Sequence, residues 1–168
     1  MIKLIRLDER LLHGQVAVKW LNVLDIESVL VADDTTALSP IATKAMLMSA
    51  AMGKGSGSVK TSIKTIGDAI RLLNDVRAKP KKIFVITREL SDLQRLINEA
   101  PDIQEINIGN YGTLQKTGEP RREIIRRLFL NNAEIEQMRE IVNCGLQVYF
   151  QATPESERID LKKKMQSL

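Results

Sequence analysis

Met1-Ile2-Lys3-Leu4-Ile5-Arg6-Leu7-Asp8-Glu9-Arg10-Leu11-Leu12-His13-Gly14-Gln15-Val16 opens the sequence. The apolar run over 2–7 predicts a first strand. Residues 14–24 predict a helix, because Val16, Trp20 and Leu24 recur on one side. His13, the one histidine of the chain, therefore falls on the strand-to-helix loop, at the helix start. A helix start leaves backbone N–H groups unpaired and carries the positive end of the dipole, both suited to an anion. With Arg6 and Arg10 close by, a histidine there fits a group that carries phosphate rather than one that binds metal. A lone histidine is more often packed or solvated than catalytic, so the position alone does not decide.

The remainder of the chain alternates strand and helix, which predicts an α/β fold: a single domain over 1–168, with a mostly parallel central sheet and helices on both faces. Residues 28–32 form a short apolar run that stops at the polar Asp33-Asp34. Ser39-Pro40 opens a helix with Ile41, Ala45, Met48 and Met52 along one face, read as core filler. Gly53-Lys54-Gly55-Ser56-Gly57 invites a phosphate-cradle reading. It follows a helix and precedes a strand, the reverse of the order a P-loop needs, so it reads as a mobile connection. A strand over 58–63 leads to Thr65, which caps a helix with Asp68 at the capping-box spacing and Ile70, Leu73 and Val76 inside. Residues 83–87 read as a buried strand, 90–100 as a helix closed by Pro101, and 103–108 as a fifth strand.

In the last third, the arginine-rich 121–130 reads as one strand-like segment with its arginines facing water. Asn131 or Asn132 caps a helix that runs through Val142, and Gly145 marks its stop. A strand over 146–151 and a helix over 154–165 complete the pattern. The lysines at 162–164 complement that helix's dipole.

Composition bounds the function. Hydrophobic residues make up 43% and charged residues 27%, which is globular. No apolar run approaches the roughly 18 residues of a membrane span, and no signal peptide opens the sequence. One cysteine, Cys144, makes no internal disulfide, so a reducing cytoplasm is the expected compartment. With one histidine and one cysteine, no metal site is expected. The formal net charge of +4 permits a nucleic-acid partner, but basic residues are spread and aromatics are 4%, so stacking platforms are scarce; an acidic protein or the membrane surface suits the charge equally, and charge alone does not choose.

The opening stretch resembles the start of IIB subunits of the mannose/fructose/sorbose family of the bacterial sugar phosphotransferase system. Those begin with a strand and a pattern like R-[IV]-D-D-R-[LFY]-[IL]-H-G-Q-V. Residues 6–16 read R-L-D-E-R-L-L-H-G-Q-V, departing at Leu7 and Glu9. Ile106-Asn107-Ile108-Gly109 resembles the family's I-N-[VI]-G segment, and residues 126–154 resemble its strand, cap, helix and strand block. Departures fall at Asp33-Asp34-Thr35-Thr36-Ala37, where members often read N-D-E-V-A, and at the glycine-rich 53–57, which replaces a shorter, proline-containing link.

The resemblance implies a phosphoryl carrier, a transferase working through a phosphohistidine. A phosphorylated IIA protein donates to His13, at Nδ1, and phospho-His13 passes the group to a sugar held by the membrane subunits IIC and IID. The protein would then sit in the cytoplasm, held at the inner face of the membrane by its partners, with no cofactor, no nucleic acid among its partners, and compatible with a homo-oligomer. Around His13, Arg10 is the expected phosphate clamp, since a guanidinium binds phosphate through paired hydrogen bonds. Backbone N–H groups near Gly14 and Gln15 supply the rest. Asp8 either orients Arg10 or a loop N–H, or only anchors the loop. Arg6 is a weaker candidate that the strand's packing also accommodates. Two other readings compete: a non-catalytic nucleotide- or nucleic-acid-binding α/β module with His13 inert, and a IIB-like regulatory phosphocarrier that serves no transporter.

Overall fold

In the computed structural model, β1 (Ile2–Leu7) lies at the middle of a seven-stranded sheet. It pairs in parallel with β4 (Ile83–Thr87) on one side and β5 (Glu105–Ile108) on the other. Beyond β4 come β2 (Ser28–Ala32) and β3 (Lys60–Lys64). Beyond β5 come β8 (Gln147–Phe150) and a two-residue antiparallel edge strand, β9 (Ile159–Asp160). The described residues are 1–51, 59–75, 81–114 and 118–168, with 15–18 described by their backbone alone.

The central strands are buried on both faces, so their apolar residues divide by parity rather than alternate with polar ones. Ile5, Leu7, Leu30, Ile83 and Val85 join one core cluster, as does Ile2, which lies before a register irregularity in β1. Leu4, Val29, Val31, Phe84 and Ile86 join the other. α1 (Gly14–Val23) and α3 (Pro40–Ala51) cover the second cluster through Trp20 and Ala50. α4 (Ile66–Asn74), α5 (Leu90–Glu99), α6 (Asn132–Val142) and α7 (Leu161–Gln166) cover the first. The expected architecture, one α/β domain with helices on both faces, is therefore present.

Strand order places the site. The chain leaves β1 through α1 toward β2, across one face. It leaves β4 through α5 toward β5, across the opposite face. The two neighbouring strands thus send their helices to opposite sides, and a crevice opens beyond their carboxyl ends. Parallel α/β sheets bind ligands at such a point.

Local chemistry sets the boundaries. The Thr65 side chain accepts from the Asp68 N–H, as its spacing predicts. Asn131 and Glu134 form a reciprocal capping box on α6. Gly145, with φ of +88°, follows that helix in the left-handed region.

Four expectations change. The stripe Ile41, Ala45 and Met48 is not core: Ile41 is 84% exposed and Met48 59%, with Leu38 beside them at 75%. α3 instead packs inward through Met46 and Ala50, and Met52 lies outside the described residues. The segment 121–130 is a hairpin rather than one strand, β6 (Arg122–Ile125) against β7 (Leu128–Leu130). Arg127, at φ +75°, supplies the backbone reversal. Residues 34–37 form a short helix, α2 (Asp34–Ala37), because the Asp33 carboxylate accepts from the Thr36 N–H at 2.8 Å and caps it. The terminal helix starts at Leu161, not 154. Gln151 donates to the Pro154 and Ser156 carbonyls at 3.1 and 2.8 Å and holds that stretch as a turn, and the Asp160 side chain then caps the helix. The glycine-rich 53–57 and Val76 lie outside the described residues.

Candidate functional site

The loop that carries His13 begins where β1 ends. The Asp8 N–H donates to the Thr87 carbonyl at 2.9 Å, and the Glu9 N–H donates to Asn110 at 2.8 Å, so the loop's first residues still run between the ends of β4 and β5. The chain then turns: the Leu11 N–H donates back to the Asp8 carbonyl at 2.9 Å. Leu11 emerges with φ of +53°, a conformation that costs an L-residue roughly 1 kcal/mol or more. Its side chain is buried in the core beside Trp20, and this holds it there.

His13 is the N-cap of α1, in extended conformation, and Gly14 follows with φ of +43°. The ring is half-buried. Nδ1 lies 2.8 Å from the Leu11 carbonyl oxygen. A carbonyl only accepts, so Nδ1 is the donor in this contact. Nε2 is buried and has no partner among the described residues. Arg10 is exposed, with its side chain available at the loop surface. Its own N–H donates to Asp8 Oδ1 at 3.1 Å. Gln15 is described by its backbone alone.

Arg6 is placed elsewhere than a phosphate clamp requires. Its guanidinium, 3% exposed, donates to Asp8 Oδ2 at 2.8 Å, to the Gln151 and Ala152 carbonyls at 3.0 Å each, and to Asn107. It also lies 5.1 Å from the Trp20 ring centroid. Burial lowers its pKa, and Asp8 opposes that shift. Asn107 and Gly109 explain why the fifth strand ends as it does. Asn107 accepts from Arg6, and a Cβ at Gly109 would land on the guanidinium. Asp8 thus sits between two donors, with one oxygen on Arg6 and the other on the Arg10 N–H.

Two further charged groups lie at the crevice. Arg88, just past β4, donates to Asp33 at 3.1 and 3.2 Å and to the Thr36 hydroxyl at 3.1 Å. Glu9 is buried, and its carboxylate accepts from the loop after β5. Within the opening motif Glu9 reads only as a mild departure. Its signal was a charged residue in a turn with no local partner in sequence.

That second loop has its own brace. Arg121 forks onto Glu134 at 2.6 and 2.9 Å and lies 5.3 Å from the Tyr111 ring, and the Tyr111 hydroxyl donates to Glu134 at 2.9 Å. Burial pushes the Glu134 carboxyl up, but Arg121, the Asn131 N–H and Tyr111 outweigh it and leave the pKa lowered. Gly112, at φ +77°, has no room for a Cβ, which would meet the Phe129 carbonyl.

Asp92, on α5, gives a pH prediction. Burial first, then the charges of Asp34, Glu89 and Asp33, raise its carboxyl to about 6, with Arg95 opposing. The folded state therefore holds this proton more tightly than the unfolded chain. The associated stabilisation is present at low pH and is lost as pH rises through about 6. Asp92→Asn should flatten the fall in melting temperature between about pH 4 and 6, as read in parallel melts of variant and parent. Parallel pH curves for both proteins would remove Asp92 as the cause.

Among the described residues, no group of three or more His, Cys, Asp or Glu is placed to hold a metal ion, and no helix is long and apolar enough to cross a membrane.

Comparisons with known proteins place the whole chain. The family described as PTS system sorbose subfamily IIB component matches residues 2–167. The chain belongs to that family. It is 33% identical over 165 residues to a probable phosphotransferase enzyme IIB component of Streptococcus pyogenes, covering 97% of this chain and 98% of the relative. It is 28% identical to N-acetylgalactosamine-specific IIB component 1 of Escherichia coli, covering 94% of each. The crystal structure of an Escherichia coli N-acetylgalactosamine-specific IIB component 1 superposes with a TM-score of 0.80 at 27% identity, over 95% of this chain and 98% of that one. The IIB domain of the Klebsiella pneumoniae sorbose permease shares the fold, with a TM-score of 0.83 at 18% identity over 99% and 97% of the two chains. This IIB component is thus a phosphotransferase, a phosphocarrier in sugar uptake.

Proposed function

We propose that this IIB component takes a phosphoryl group from a phosphorylated IIA protein onto His13 and delivers it to a sugar bound by the membrane subunits IIC and IID. The observation that carries the reading is the position of the sole imidazole, at a helix start beside the crevice between β1 and β4. In the first step the donor's N–P bond breaks, the donor imidazole keeps the electron pair, and a new N–P bond forms to neutral His13. The second step repeats this toward a sugar hydroxyl, whose proton leaves as the sugar phosphate forms. No cofactor enters either step.

Phosphoryl transfer needs positioning and neutralisation of the equatorial oxygens. Arg10 meets the second need from the loop surface, and the backbone N–H groups at Gly14 and Gln15 meet it from the helix start. Gly14 leaves the approach to the ring open. Asp8 fixes the Arg10 backbone, and Arg6 acts behind it as a structural cation. Reaction at Nδ1, the nitrogen the family resemblance implies, requires the ring to leave the Leu11 carbonyl and the proton to sit on Nε2. The protein would work in the cytoplasm, docked on IIC and IID at the inner face of the membrane.

The test is incubation with radiolabelled phospho-IIA, followed by mapping. The expected label sits on His13 and is a phosphoramidate, lost in mild acid and retained in base. Label on the Thr35 or Ser39 hydroxyl would reject the assignment. Arg10→Lys keeps the charge but loses the planar fork, so transfer should slow while the melting temperature holds within a few degrees. Equal transfer rates in variant and parent would take Arg10 out of the clamp role.

A further inference from the structure

Glu9 is a buried charged group that the proposed chemistry leaves unused. Five donors converge on its carboxylate: the backbone N–H groups of Gly112, Thr113 and Leu114, the Thr113 hydroxyl, and the Asn110 side-chain amide. The Gly112 and Thr113 N–H contacts measure 3.0 and 3.1 Å, and the Asn110 contact 2.7 Å. Three successive N–H groups aimed at one point make an anion-binding nest. Here the protein's own carboxylate fills it.

Glu9 is also a central residue of the turn closed by the Leu11 N–H on the Asp8 carbonyl. Arg10 is the other central residue. Leu11 ends the turn, and its carbonyl holds His13 Nδ1. One continuous set of contacts therefore runs from the loop after β5, through Glu9 and the turn, to the imidazole. At the far end, Tyr111 and Gly112 are fixed against β7 and α6. The fixed end is the distant loop, and the held end is the acceptor.

We infer that Glu9 is a positioning residue for phosphoryl transfer: by seating its carboxylate in the 112–114 nest it sets the turn that presents Arg10 and His13. This inference rests on His13 being the phosphoacceptor. Glu9 does not touch the phosphoryl group.

Glu9→Gln, Glu9→Asp and Thr113→Val separate this role from mere anchoring. In Glu9→Gln the negative charge is lost and one accepting oxygen becomes an NH2 group that faces donors, so the nest is only partly filled. In Glu9→Asp the charge remains, but the chain is one methylene short. Thr113→Val removes one donor at nearly constant shape, far in sequence from His13. Uptake from radiolabelled phospho-IIA should fall roughly 10- to 100-fold at saturating donor for Glu9→Gln. The half-saturating donor concentration should stay within about twofold, because donor docking is not what changes. Glu9→Asp should lie between Glu9→Gln and the parent, and Thr113→Val should fall in the same direction by less.

NMR supplies a readout independent of transfer, since one histidine gives one set of imidazole signals. In Glu9→Gln both the 112–114 amides and the His13 ring signals should move. Moved amides with unchanged His13 signals and parental uptake would overturn the inference and leave the phosphoacceptor reading intact. If Glu9→Gln fails to fold, Thr113→Val decides: parental uptake with unmoved ring signals overturns it. If the parent takes no label on His13, the phosphoacceptor reading fails first, and the ring signals still report whether Glu9 holds the imidazole.

Discussion

His13→Gln should take up no phosphate from phospho-IIA and deliver none to sugar. The chain has no second histidine to stand in, so loss should be complete rather than partial. The fold should survive. Among the described residues, the ring's one hydrogen bond runs to the Leu11 carbonyl, on a loop surface where a glutamine amide or water can satisfy that oxygen. Substitutions of this kind cost about 1 kcal/mol, or a few degrees in melting temperature for a chain of this length. Docking to IIA should persist, because contact area rather than one ring sets most of such a surface. Incorporation, melting and IIA binding measured on one preparation give the answer. Retained incorporation would sink the mechanism. A fall beyond about 10 °C would make His13 a structural residue.

Arg6→Ala gives the opposite result, a protein damaged in stability before activity. The guanidinium is enclosed by Asp8, Asn107 and the Gln151 and Ala152 carbonyls, with Gly109 leaving it space. Removing it strands a buried carboxylate, which costs about 3–5 kcal/mol. For a chain of this size that lowers the melting temperature by roughly 6–20 °C. Arg6→Lys should recover only part, since one ammonium cannot reach four acceptors in one plane. Pairing Arg6→Ala with Asp8→Asn should destabilise less than the sum of the two, because the second change removes the stranded charge. Additive losses would mean that the Asp8 contact contributes little.

Much of this was legible because backbone chemistry is local. Thr65 with Asp68, and Asn131 with Glu134, cap the helices their spacing indicates. Strands buried on both faces read as continuous apolar runs, so 2–7 and 83–87 stood out. The position of His13 followed from the strand and helix on either side of it. What could not be read locally was partnership across the sheet. Arg6 looks like a phosphate ligand until Asn107 and the 151–152 carbonyls, far along the chain, are brought to it. Glu9 finds its donors a hundred residues later, in a loop that β5 delivers. The Ile41–Met48 stripe has the period of a buried face, and period does not say whether anything covers that face. The break at Arg126-Arg127 lacks the glycine or asparagine that usually marks a hairpin reversal.

The central place of β1 has a consequence for how the protein is made. Its two neighbours in the sheet, β4 and β5, are specified some eighty and a hundred residues downstream. While the ribosome is still translating the first half, Ile2, Leu4, Ile5 and Leu7 have no native strand to pair with on either edge. The surroundings of β1 are complete only after residue 108 is out. Native pairing of that first strand is thus a late event, dominated by distant contacts. Until then β1 is an apolar segment that gains from a chaperone's cover during synthesis.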